Sequence, residues 1–118
     1  MSTTMISIDP RKYRLRFYKT LLQELGSPKY IHLLVNPNTR MLAVRSIPNE
    51  QPGCIQINSH LYKDNCFEIY SFALTEQLFQ TLGWTDRTVS YRLKGAVSPA
   101  KKIALFAFDN VEKIEMEA

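Results

Sequence analysis

The stretch RLRFYKTLLQELGSPKYIHLLVNPNTRMLAVRSI, residues 14–47, carries the clearest signals for the fold. It opens with an alternation of apolar and polar residues, starting at residue 13, that is typical of a half-buried strand. Because successive side chains of a strand point to opposite faces, this alternation predicts a strand over residues 13–18. One face would hold Tyr13, Leu15 and Phe17, and the other would hold Arg14, Arg16 and Tyr18.

A short helix is predicted directly after this strand. Leu21, Leu22 and Leu25 recur at the spacing that places residues on one side of a helix. Gly26 follows them at the position where a left-handed C-cap is usual. The helix therefore covers about residues 19–25.

A β-hairpin follows in YIHLLVNPNTRMLAVRSI, with strands at about residues 30–36 and 40–47. The turn NPNT joins them, because Pro37 fixes the backbone angle φ that the turn requires. Two prolines and a glycine then make residues 48–53 a loop. A short strand is predicted in CIQINSHLY.

The second half of the chain repeats this order of elements. CFEIYSF predicts a strand, Ser71 is a suitable N-cap, and a helix is expected over residues 72–82 with Gly83 at its end. The strands TVSYRLKGAV and KKIALFAFDN follow, joined by a turn that contains Pro99. The tail VEKIEMEA, residues 111–118, is expected to be frayed or a short edge strand.

The two halves align when Gly26 is set against Gly83. An amphipathic helix that ends in Leu-Gly can also arise without any repeat, but the order of elements and the proline in each hairpin turn match as well. We interpret this as duplication of a β-α-β-β unit, with halves at about 11–50 and 66–112 of a single domain, 1–118. The predicted fold is α+β, mainly β, and is a pseudo-twofold β-barrel. The aligned pairs are Leu25 with Leu82, Leu22 with Phe79, Leu21 with Leu78, and Phe17 with Leu74.

This pattern resembles the swapped-hairpin β-barrel domain of the AbrB/SpoVT transcription-factor superfamily, over residues 13–47 and more faintly over 67–109. The resemblance implies interlocked hairpins and arginines of the first strand presented to DNA. The chain departs from the family where a proline usually starts the helix, since Tyr18 or Lys19 stands there. It also departs in the second copy, which carries Glu68 where the first has an arginine. One basic strand, rather than two, would then face DNA.

The distribution of charge points to the same partner. The chain has a net charge of +4, but residues 1–50 hold eight basic residues against three acidic ones, and the rest of the chain holds seven against eight. Guanidinium groups bind phosphates bidentately, so double-stranded DNA is the expected partner. A solvated edge strand protected by its charges is the alternative. The predicted nucleic-acid-binding residues are Arg11, Lys12, Arg14, Arg16, Lys19, Arg40 and Arg45.

The alternative function is that of a non-catalytic protein-interaction module, antitoxin-like or scaffold, without DNA binding. The loss of arginines from the second copy and the acidic tail favour it. Trp84 either closes the end of the barrel or, if exposed, marks a protein-binding spot. The chain would be a monomer or a homodimer.

No enzyme, cofactor or metal site is predicted. The glycines are scattered, and neither G-x-S-x-G nor H-E-x-x-H occurs. Cys54, His60 and Cys66 form C-x5-H-x5-C, which lacks the closely spaced pairs that structural zinc prefers. A disulfide framework in a secreted chain of this size normally has four or more cysteines, so both cysteines are expected to be reduced thiols. No apolar run approaches the length of about 20 residues that spans a bilayer, and MSTTMISIDP lacks a signal core. A cytoplasmic protein without membrane contact is expected.

Overall fold

A computed structural model describes residues 2–58 and 62–115. Within these ranges, strands form one curled antiparallel sheet of order β5-β3-β4-β9-β8-β1-β2-β7-β6, and two helices accompany it. The fold is therefore mainly β, within the predicted α+β class. The elements are β1 (Ser2–Asp9), β2 (Arg14–Tyr18), α1 (Lys19–Glu24), β3 (Tyr30–Asn36), β4 (Met41–Ile47), β5 (Ile55–Gln56), β6 (Tyr62–Lys63), β7 (Cys66–Tyr70), α2 (Phe72–Leu82), β8 (Val89–Ser98) and β9 (Ile103–Glu115).

Strand β1 was not predicted, yet it lies inside the sheet between β8 and β2. Thr4, Ile6 and Ile8 are buried and alternate with half-buried Met5 and Ser7. This is the same period of two that identifies β2. An inner strand at the N-terminus ties the two halves of the chain together, because β1 pairs with β2 on one side and with β8 on the other.

The second predicted helix is confirmed at both ends. Ser71 accepts a hydrogen bond at its Oγ from the backbone N–H of Leu74, at 3.2 Å, and so caps the first turn of α2. Gly83 ends the helix with φ of +70°, in the left-handed region that favours glycine. The hairpin of β3 and β4 is also confirmed.

The predicted position of Tyr13 is wrong. Tyr13 does not lie on the buried face of β2. It belongs to the turn before the strand, with φ of +52° and 38% of its surface exposed. The turn is held by Asp9, whose Oδ1 accepts a hydrogen bond from the backbone N–H of Arg11 at 3.1 Å. The tail was expected to be frayed or a short edge strand, and over residues 111–115 it is strand, because β9 continues to Glu115 and pairs it with Val89. Residues 116–118 lie outside the described ranges.

The two halves contact each other through two ladders. Strand β2 pairs with β7, so that Arg16 faces Glu68, and β4 pairs with β9, so that Ala43 faces Leu105. Both halves run strand, helix and hairpin in that order. These two ladders lie in different parts of the sheet. The outward side chains are charged at Arg16 and Glu68 and apolar at Ala43 and Leu105.

The core is a single cluster of side chains between the sheet and the two helices. Trp84 packs partly buried against it, since its ring stacks on Tyr91 with centroids 4.2 Å apart. Phe79 meets both rings edge-on. The buried hydroxyl of Tyr91 is satisfied, because it donates to the backbone oxygen of Asp86 at 2.6 Å. Trp84 therefore covers the core rather than forming an exposed spot.

Candidate binding surfaces on the outer face of the sheet

A row of four charged residues and one serine crosses the outer face of five adjacent strands. Ser7 of β1 lies directly opposite Arg16 of β2 on one side and Arg92 of β8 on the other. Arg16 in turn faces Glu68 of β7, and Arg92 faces Glu112 of β9. The short serine side chain at the centre leaves a cleft between the two arginines.

The arginines of β2 are held by carboxylates of the same chain. Arg16 donates from Nε to Oε2 of Glu68, and Nη1 of Arg14 lies 3.4 Å from the same oxygen. Nη2 of Arg14 also lies 3.2 Å from Oδ2 of Asp9. Asp9 and Glu68 are only 4% and 8% exposed. Buried carboxylates need such partners, so these ion pairs are part of the folded structure.

The electrostatics of Arg16 follow from this arrangement. Burial alone would lower the pKa of its guanidinium, but the hydrogen bond and the negative charge of Glu68 outweigh it, so the pKa is raised above its ordinary value. Asp64 adds a weaker attraction from 3.9 Å. Arg14 and Arg16 were predicted to contact phosphates. The structure places both among carboxylates, with their side chains 15% and 27% exposed, and their contact with phosphates stays a prediction.

The remaining basic residues of the first half do not join into one surface. Arg11, Lys12 and Lys19 are exposed, but the first two precede β2 and the third follows it. Arg40 lies in the turn before β4 and Arg45 near the other end of that strand, and β4 is separated from β2 by three strands. At about 4.8 Å per strand, the distance along the sheet is roughly 19 Å.

Each arginine of the hairpin has a neighbour of its own. Nε of Arg40 donates to Oδ1 of Asp109 at 2.8 Å. Nη2 of Arg45 lies 3.4 Å from Nδ1 of His32 on the neighbouring strand. Lys101 and Lys102 occupy the turn before β9, close to Arg45, because the backbone N–H of Ser46 donates to the backbone oxygen of Lys102. These four basic side chains, His32, Arg45, Lys101 and Lys102, are called the basic rim below.

An apolar surface lies beside this rim on the outer face of β3, β4, β9 and β8. Leu34, Ala43 and Leu105 face one another across three strands. Leu34 and Leu105 are 41% and 45% exposed. A sheet with water on one side normally turns polar residues outward, so this surface is unusual. We call it the apolar face, and it consists of Leu34, Met41, Ala43, Ala96, Leu105 and Ala107.

The apolar face was not predicted from the sequence, because LLV (residues 33–35) and IALFAF (residues 103–108) do not alternate apolar with polar residues. Such runs are typical of a strand buried on both sides. Its end nearest the turn between β3 and β4 forms a shallow groove of about 340 Å³ that includes Met41 and Thr39. A second exposed apolar spot lies at the start of α2, where the rings of Tyr13 and Phe72 meet edge-on at 4.8 Å.

The cysteines are both free thiols. Burial raises the pKa of the Cys66 thiol, which makes it a poor nucleophile at neutral pH. Among residues 2–58 and 62–115, no group of three or more potential metal ligands converges. His60, the middle residue of the C-x5-H-x5-C pattern, lies outside those ranges.

Comparisons with protein-family models, with curated proteins and with solved structures found no match for this chain. In the part of the chain that the structure describes, neither helix has the length and apolar character needed to cross a membrane.

Proposed function

We propose that this chain is a non-catalytic protein-interaction module and that the apolar face is its binding surface. The observation that carries this proposal is the outward row of Leu34, Ala43 and Leu105, with both leucines more than two-fifths exposed. Exposed apolar patches bounded by polar residues are typical of protein-binding sites. The leucines would be covered when the partner binds.

The charges around the apolar face define the chemistry of the partner. Arg45, Lys101 and Lys102 make no ion pair within 4.0 Å among the described residues. The occupant is therefore a protein whose contact segment is apolar and carries acidic residues at the end that meets the basic rim. Complementary charge at the edge of an interface mainly sets orientation and association rate.

Site-specific photo-cross-linking tests this proposal. Benzoylphenylalanine replaces Leu105 in one variant and exposed Gln80 of α2 in a matched control, and both are expressed in cells that make the protein. We expect a discrete cross-linked protein at position 105 only. The purified partner should then bind the Leu105→Asp variant at least about tenfold more weakly, which corresponds to about 1.4 kcal/mol.

Equal cross-linking at both positions, or unchanged affinity of Leu105→Asp, would contradict the proposal. Cross-linking of the chain to itself would identify a second copy as the occupant in place of the acidic partner. Analytical ultracentrifugation separates these cases, because self-association through this face requires a dimer that Leu105→Asp dissociates.

DNA binding is the second candidate function. The observation that favours it is the exposure of Arg11, Lys12 and Lys19, whose side chains make no ion pair among the described residues. Since Arg14 and Arg16 are already neutralised, three phosphates at most would be contacted by this strand and its flanks. The logarithm of the affinity should then fall against the logarithm of salt concentration with a slope of about −2.7. A gel-shift titration that shows no salt-sensitive binding removes this candidate.

We also infer that the fold is a duplicated barrel of the swapped-hairpin kind, related to the AbrB/SpoVT superfamily. Pro37 and Pro99 lie in the two hairpin turns, and Arg40 and Lys102, each three residues after its proline, have φ of +55° and +53°. This likeness supports a common origin for the halves. An experimental structure would contradict the inference if no rotation near 180° superposed residues 14–47 on the second half.

A further inference from the structure

Strand β3 has an open edge beside the apolar face. Its neighbour on that side is β5, which pairs with it only at Tyr30 and Ile31. Within the described parts of the chain, no backbone group bonds to residues 32–36 from this side. These five residues are called the open edge below, and they span roughly 16 Å at about 3.3 Å per residue. An unpaired edge offers its N–H and C=O groups to another strand.

Leu33 and Val35 are the residues whose backbone groups point out of the open edge. On the side of β5, the backbone N–H of Ile57 donates to the backbone oxygen of Lys29 at 2.7 Å. Backbone groups of alternate residues point to the same side of an antiparallel strand. The residues of β3 that alternate with Lys29 in this way are Ile31, Leu33 and Val35. The last two therefore offer two N–H donors and two carbonyl acceptors to a partner.

Two apolar grooves flank the open edge, one on each face of the sheet. The groove of about 340 Å³ on the apolar face is lined in part by Leu34 and Val35. The other lies between β3 and α2, has a volume of about 240 Å³, and is lined by the same two residues opposite Leu74 and Leu78. Because successive side chains of a strand point to opposite faces, an added strand places its side chains in the two grooves in turn. A strand buried on both faces is a continuous apolar run.

The two ends of the open edge differ in charge. At its start, Nδ1 of His32 lies 3.4 Å from Nη2 of Arg45, and the rest of the basic rim is close by. At its other end Asn36 is neutral, and its Oδ1 accepts a hydrogen bond from the backbone N–H of Asn38 at 3.0 Å. An acidic residue of the occupant therefore belongs beside His32. A second copy does not supply it, because an antiparallel pair with the two Leu34 residues opposite each other sets His32 against Asn36.

We propose that the open edge binds an extended apolar segment of another protein as an added β-strand, with a carboxylate at the end beside the basic rim. The main chain of the segment bonds to the backbone groups of Leu33 and Val35, and its side chains enter the two grooves. In this mode of recognition the main-chain bonds supply affinity and the grooves supply sequence preference. The proposal rests on the proposed function, because the same partner covers the apolar face, and it adds how that partner binds.

The test is an NMR titration of the full chain with synthetic peptides that carry two glutamates at one end of the apolar run Val-Leu-Val-Leu-Val. One peptide has the glutamates at its amino end and the other at its carboxyl end, so both strand directions are covered. With one of them, the amide signals of Leu33 and Val35 should shift and saturate, and their hydrogen exchange should slow at least about tenfold. Two lysines in place of the glutamates should weaken binding at least about tenfold. Protection by neither peptide, or equal affinity of the lysine peptide, overturns the proposal.

N-methylation of the peptide distinguishes strand addition from simple apolar contact and leaves the protein unchanged. Only every second N–H of an added strand points toward β3. Methyl groups on that set should raise the dissociation constant at least about tenfold, whereas methyl groups on the other set should change it less than about twofold. Equal effects of the two sets overturn strand addition. The proposed function has its own readout in cross-linking at Leu105, so a partner captured there together with unprotected amides at Leu33 and Val35 contradicts strand addition alone.

Discussion

Arg16 and Glu68 face each other as register partners on β2 and β7, 52 residues apart in sequence, and the arginine Nε donates to the glutamate Oε2. The two residues come from different halves of the chain, so their ion pair forms only when the halves are assembled. Glu68 is 8% exposed and also pairs with Arg14. The basic strand β2 is thus tied to the fold of its own chain.

Removing this carboxylate should destabilise the protein. Glu68→Gln leaves Arg14 and Arg16 with less compensation in a largely buried setting, where breaking an ion pair typically costs about 3–5 kcal/mol. Both arginines keep some contact with water, so we expect a loss of about 2 kcal/mol. Urea unfolding followed by the fluorescence of Trp84 measures it.

The matched control is Asp109→Asn, which removes the exposed ion pair with Arg40. Its side chains are 71% and 49% exposed, so the expected loss is below about 1 kcal/mol. If the two variants lose equal stability, the pair of Arg16 with Glu68 has no structural role beyond that of a surface contact.

Truncation of two neighbouring residues of β9 should change the free energy of unfolding by very different amounts. Leu105 points outward and Phe106 is fully buried. Leu105→Ser should change the free energy of unfolding by no more than about 0.5 kcal/mol, whereas Phe106→Ala should cost about 3–5 kcal/mol. Thermal or urea unfolding of both variants checks this. A large loss in Leu105→Ser would mean that the apolar face belongs to the core.

Gly95 allows β8 and β9 to approach each other closely. A Cβ placed there would overlap the backbone oxygen of Leu105 and the ring of Phe106. The site lies at the irregularity that shifts the register between Leu93 and Gly95. Gly95→Ala should therefore cost about 1–3 kcal/mol, as overpacking does. Ala96→Ser, one residue along and facing outward, should be nearly neutral in the same unfolding assay, and a similar loss in both would contradict the explanation.

Stability should fall in alkaline solution. Burial raises the pKa of the Tyr91 hydroxyl above 10.0 and that of the Cys66 thiol above 9.0. The unfolded chain then loses these protons at lower pH than the folded chain does, so the stabilisation is present below those ordinary values and declines as pH rises through the raised ones. Urea midpoints at neutral and alkaline pH measure the decline. Cys66→Ala should show a smaller decline near pH 9 than the wild type, and midpoints constant across this range would contradict the prediction.

Local features of the fold could be predicted from the sequence because their signals lie within a few residues. Ser71 and Gly83 bound α2 by caps that need no distant partner. The turn at Pro37 is likewise a local signal, and it predicts the hairpin of β3 and β4 without any distant partner. Strand β1 carries the same alternation as β2, and this signal was available in Thr4, Ile6 and Ile8.

The partners of the arginines could not be predicted in this way. Whether Arg16 meets water or Glu68 depends on which strands are neighbours and in what register, and this is set by the whole sheet. One signal was present, since Glu68 interrupts the apolar strand CFEIYSF and a buried carboxylate needs a cation. Arg92 was missed for the same reason, because only the sheet brings it beside Ser7.

The central claim is that the apolar face, rather than the basic strand, is the binding surface. Titration calorimetry with the purified partner that cross-linking identifies tests this claim directly. The partner is titrated into Leu105→Asp and, separately, into Lys12→Glu, because both residues are exposed and lie on different parts of the surface. We predict a loss of affinity of at least about tenfold in Leu105→Asp and little change in Lys12→Glu. The reverse order, with Lys12→Glu weakened and Leu105→Asp unaffected, would contradict the claim.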